Sequence, residues 1–124
     1  MSFRWMCGGL GSFQVANGLV MIVAPRRWFL SAPGVAATGP LNPHFVIDVG
    51  LGFLAAGLAF LACAWRPQFR PVALGASGFV VFHALFHLSH LAMGAMADAP
   101  VTFAIAVPAF LGLTLVWPRG ETET

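Results

Sequence analysis

Four stretches of about twenty residues, almost free of charge, run through this chain: "FRWMCGGLGSFQVANGLVMIVA", "PHFVIDVGLGFLAAGLAFLACAW", "PVALGASGFVVFHALFHLSHLAMGAM" and "APVTFAIAVPAFLGLTLVW". As α-helices, at 1.5 Å per residue, each is long enough to cross the roughly 30 Å hydrocarbon core of a bilayer. Within lipid the backbone has no water to bond, so a spanning segment of this length closes its hydrogen bonds as a helix. The sequence therefore predicts an all-α integral membrane protein. A four-transmembrane-helix antiparallel bundle is expected, built as one domain over 1–124, with helices at about 3–24, 43–65, 71–96 and 99–117. With 59% hydrophobic and 8% charged residues, little is left to form an extramembrane domain.

The edges of the runs carry the usual punctuation. Pro25 stops the first, and "LNPHF" starts the second, with Asn42 suited to the N-cap and Pro43 to the first helical position. "RPQFRP" forms the turn before the third, and "DAP" opens the fourth. Trp5, Trp28, Trp65 and Trp117 fall at expected helix ends, where indole rings settle at membrane interfaces. The first run is too long for a cleaved signal core and reads as the first span. Residues 25–42, which include "SAPGVAATGPLN", read as an ordered loop or short re-entrant cap on the outer face. There is no lysine. Arg4, Arg66, Arg70 and Arg119 share one side, against Arg26 and Arg27 on the other, so both termini are expected to be cytoplasmic in a bacterial inner membrane.

"FHALFHLSH" puts three of the four histidines in one span. At 100° per residue His83, His87 and His90 fall on one stripe, extended by Ala76 and Gly94, and small residues there argue for a face packed against protein. On the second helix His44 and Asp48 share a face with Leu51, Ala55 and Ala62. Asp48 is the only acid inside an expected span, and a buried carboxylate needs a partner. Antiparallel docking across the 66–70 turn sets Asp48 between His87 and His90 in depth, with His83 deeper. Imidazole and carboxylate suit zinc, iron and copper(II). The expected metal site is His87, His90 and Asp48, completed by His44 or His83, with Asp48 alternatively orienting a ligating imidazole. Copper or iron is favoured over zinc. Met93 and Met96 would suit a copper(I) route, or simply fill gaps.

"HALFH" resembles the H-x3-H histidine boxes of membrane desaturases and hydroxylases over a single turn, without their adjacent histidine pairs. "HFVID" is similar, in reverse order, to the Asp-x3-His pattern in the copper-binding membrane subunit of particulate methane and ammonia monooxygenases. Both resemblances imply an intramembrane metal and no more.

The leading expectation is a small membrane protein holding a transition metal between its second and third helices, for metal handling or membrane redox chemistry. The alternatives are an accessory subunit of a respiratory, photosynthetic or oxygenase complex, and a haem b protein using His44 with His87 or His90. Partners are the lipid bilayer and other membrane subunits or further copies of the chain. Nucleic acid is not expected, because the net charge of +2 is small and scattered. Cys7 and Cys63 read as small packing residues. Gln14 and Asn17 are expected to hydrogen-bond across helices, with contact to a quinone as the lesser alternative. Pro108 frees a carbonyl near Ala104. No nucleotide-binding loop or nucleophile–base pair is identifiable.

Overall fold

The computed structural model describes residues 2–118, so Arg119 and the rest of the tail lie outside it. The chain is all-helical: α1 (Phe3–Val23), α2 (Pro25–Ser31), α3 (Pro43–Trp65), α4 (Arg70–Ala92) and α5 (Ala99–Val116), with short 3-10 turns at Val35–Ala37, Pro67–Phe69 and Met96–Asp98. Among the described residues four helices, the last two counted with their leading turns, are long and apolar enough to cross a membrane.

Proline and glycine set the boundaries. Pro25 ends α1 as expected, but it also opens α2 from the first helical position, where its missing N–H costs nothing. The segment read as a loop or cap is therefore a helix followed by a turn, entered through Gly34 at φ 80°. Asn42 caps α3 by accepting from the Phe45 backbone N–H at 3.2 Å, with Pro43 in the first turn. The third spanning helix stops at Ala92, short of the expected residue 96. Gly94 at φ 96° turns the chain left-handed. The N–H groups of Gly94 and Ala95 then close on the carbonyls of Leu91 and His90, at 3.0 and 3.1 Å.

α1 and α3 form the tightest pair. A Cβ built on Gly18 would lie 2.6 Å from the Gly50 carbonyl oxygen, and one on Gly11 would lie 2.9 Å from that of Gly57. The helices run antiparallel with backbones touching at two points, the close approach that small residues permit between spanning helices. α4 packs mainly against α3 and α5 and meets α1 at the Phe3–Arg70 end. One apolar cluster, with Met21, Phe53, Val80 and Ala106, lies under residues 24–42, and a second gathers Cys7, Phe60, Cys63 and Val116 at the opposite end. Both cysteines are free and fully buried.

Two arginines close that opposite end. Arg4 donates to the carbonyls of Ala64 and Trp65, at 2.8 and 3.0 Å. Arg70 donates to those of Leu115, Val116 and Trp117, between 2.9 and 3.2 Å. Each guanidinium satisfies carbonyls that the end of a neighbouring helix leaves unpaired, and complements its negative dipole end. The Phe3 ring sits 5.1 Å from the Arg70 guanidinium and ties the two clamps together.

Candidate ligand cavity

Between α1 and α4, which come together at the Phe3–Arg70 end, a cavity of about 610 Å³ opens, walled by α3 and α5 and roofed by α2 and the segment after it. That volume is in the range of small-molecule sites. Its walls are mainly apolar, including Phe13, Phe29, Phe45, Phe53 and Ile105, and they carry no Arg, Asp or Glu. The roof is anchored by Trp28, whose indole N–H donates to Asn17 Oδ1 at 2.8 Å. Asn17 also donates to Met21 Sδ at 3.5 Å, so its amide is engaged at both ends.

Two other polar groups lining the cavity are unsatisfied. Gln14 is only 1% exposed, and its Oε1 has no hydrogen-bond partner. His87 Nδ1 is likewise buried without a partner. Leaving such a group unpaired costs about 1–3 kcal/mol. On the α5 wall, Pro108 has no N–H, so the carbonyl of Ala104 lacks its ordinary i+4 donor, and both residues line the cavity.

The expected metal ligands are distributed differently. His83 and His87 are close, with ring centroids 4.9 Å apart, and both reach the cavity. His90 packs on Phe86 at 4.4 Å and does not line it. His44 Nε2 pairs with Asp48 Oδ2 at 3.3 Å, one turn along the same helix, with the two side chains 89% and 57% exposed. Among the described residues no three His, Cys, Asp or Glu side chains are grouped as metal ligands would be. The reason lies in the face of α3. Val46, Gly50, Phe53, Ala56, Gly57, Phe60 and Cys63 are its buried residues, and Asp48 stands two positions, about 200°, from both Val46 and Gly50. Leu51 and Ala55, on the side expected to pack, are exposed.

Of the two amides expected to hydrogen-bond across helices, Asn17 pairs with Trp28, whereas Gln14, on the buried face with Cys7, Gly11 and Met21, has an unpaired oxygen. Reading the sequence missed that the Gln14 oxygen goes unpaired and that Trp28 reaches inward to Asn17. The available signal for Gln14 was its position amid glycines, in a span too apolar to offer it partners. Comparisons with protein-family models, curated proteins and solved structures give no match. Chemically, the arrangement can enclose an uncharged, largely apolar molecule and offer it hydrogen bonds at separated points.

Proposed function

We propose that this chain is a small membrane protein that binds a neutral lipophilic molecule in the cavity between α1, α4 and α5. The observation that carries this reading is the roughly 610 Å³ apolar cavity itself, with the almost wholly buried Gln14, whose carbonyl oxygen has no hydrogen-bond partner, among its lining residues. The absence of charged residues from its walls favours a neutral ligand over a fatty acid or phosphate ester. Phe13 and Ala104 line the cavity and are also exposed, so the seam between α1 and α5 is its entrance from the bilayer. The arginine distribution supports both termini and the 66–70 turn being cytoplasmic in a bacterial inner membrane.

The test is organic extraction and mass spectrometry of purified protein, wild type against Ala104→Phe, which fills the entrance. A neutral lipophilic species retained near one per wild-type chain and lost in the variant supports the reading. Identical extracts refute it.

The His83–His87 pair favours a second reading. Two imidazoles one turn apart can offer two nitrogen donors to copper or iron, with further donors from a partner subunit. Metal content per chain, measured without an affinity tag, should then fall in His83→Ala and His87→Ala and also as pH drops through the histidine range, since ligation needs neutral imidazole. Near-zero content in the wild type would remove this reading.

A further inference from the structure

The face of α3 turned away from the bundle carries a regular pattern of its own. His44, Asp48, Leu51, Ala55, Leu58 and Ala62 recur at steps of four and three residues. At 100° per residue they lie within about 80° of helix surface. Ala62 is half-buried and the other five are exposed. The buried residues of α3, including Val46, Gly50, Phe53 and Phe60, lie on the opposite side, where α1 and α4 pack. Neither His44 nor Asp48 lines the cavity. Asp48 stands about 7.5 Å along the helix from Pro43, at 1.5 Å per residue. Its carboxylate therefore faces outward just inside the edge of the hydrocarbon core, a costly position for a charge without a partner.

The nearest group of opposite character is His44, whose Nε2 is 3.3 Å from Asp48 Oδ2. Charge-assisted hydrogen bonds are shorter, about 2.7–2.9 Å. The spacing matches two donor atoms sharing one ion. With bonds of roughly 2.0–2.1 Å, such atoms stand about 3.3 Å apart at the tetrahedral angle and about 2.9 Å apart at a right angle. The pair thus fits tetrahedral zinc better than square-planar copper(II). One chain supplies half of a four-coordinate set. The rest of the stripe points to the source of the other half. Leucine and alanine alternate along it at the 3.5-residue repeat with which two helices pack in a left-handed crossing. Copies inserted in the same direction present this seam to each other about a two-fold axis, so the His44–Asp48 pair meets its own counterpart. Two carboxylates brought together repel, and a divalent cation between them cancels their charge. We propose that His44 and Asp48 are half of a zinc site, completed by the same pair of a second copy packed along α3.

The test is equilibrium dialysis of the untagged full chain, in detergent micelles, against radiolabelled zinc chloride. Energy transfer between donor- and acceptor-labelled copies is read on the same samples. The quantity counted is the zinc lost in His44→Ala, so that zinc held elsewhere on the chain drops out. It should reach one ion per two chains, and energy transfer should rise with zinc and fall on adding EDTA. Asp48→Ala should weaken both by about tenfold or more, because the second copy loses its carboxylate as well. Ala55→Trp puts bulk into the seam without touching a ligand, and should lower energy transfer and zinc affinity together. His90→Ala, on α4, should behave as wild type does. His44, Asp48 and Ala55 are exposed and His90 is half-buried, so the variants leave the core intact. Equal zinc binding in wild type, His44→Ala and Asp48→Ala overturns the site. One His44-dependent ion per chain, without energy transfer, overturns its sharing between copies. Energy transfer unchanged in Ala55→Trp overturns the seam. All three outcomes leave the cavity reading untouched, because the pair lies outside the cavity.

Discussion

Replacing Gly18 by alanine adds one methyl group at the point where α1 and α3 touch. The new Cβ would stand 2.6 Å from the Gly50 carbonyl oxygen and 2.8 Å from the Leu54 backbone nitrogen. Both neighbours are main-chain atoms of a regular helix, so no side chain can swing aside. Restoring ordinary contact, which begins near 3.4 Å, requires the helices to part by roughly 0.8 Å. A gap of that size forfeits a quarter to a half of the attraction at each contact it opens. Overpacking of this kind costs about 1–3 kcal/mol, and the rigidity of both neighbours places Gly18→Ala near ~2 kcal/mol, or roughly thirtyfold in the folding equilibrium. Gln14 lies between Gly11 and Gly18 on the same buried face, so the cavity wall moves with the crossing. The assay is reversible unfolding in bicelles followed by tryptophan fluorescence, with Gly75→Ala as control, since a Cβ there meets nothing within 4 Å. A Gly18→Ala protein no less stable than Gly75→Ala would refute the idea that main-chain contact holds this pair.

Trp28→Phe keeps an aromatic ring, though a smaller one, but deletes the donor to Asn17, and should cost about 1 kcal/mol in the same unfolding assay, with faster proteolysis of residues 32–41 as the roof loosens. Arg70→Gln removes a cation bonded to three carbonyls at the end of α5, and a loss of about 2–3 kcal/mol is expected, larger than for Arg66→Gln, whose guanidinium only stacks on Trp65. Gly94→Ala forces a side chain into a left-handed turn at φ 96° and should destabilise by about 1–2 kcal/mol, read as a lower unfolding midpoint.

The spans were legible because apolar length and proline punctuation are local properties. The expected second helix, 43–65, coincides with α3 because Asn42 and Pro43 fix its start by themselves. The end of the third was misread because Gly94 was counted as a small residue on a stripe, when its backbone freedom was the signal. The histidine site depended on which face of α3 packs, and that is a tertiary fact. Leu51 and Ala55 on one side and Gly50 and Gly57 on the other are equally apolar, and only the glycine crossing with α1 decides between them. Asp48 consequently finds His44 on its own helix, and the polar atoms left wanting a partner include a glutamine on α1.

The two arginine clamps impose an order on assembly. Arg4 cannot find its acceptors until Ala64 and Trp65 have been made, and Arg70 must wait for Leu115 to Trp117. During synthesis from the amino terminus, α1 and α3 can therefore close as a pair while α4 is still emerging. α4 stays unclamped until almost the last residue of α5 is in place. The hollow between α1 and α4 is thus closed only once the end of α5 has been made. A ribosome stalled before residue 115 would hold a docked α1–α3 pair beside an open half, with the cavity still one broad cleft facing lipid.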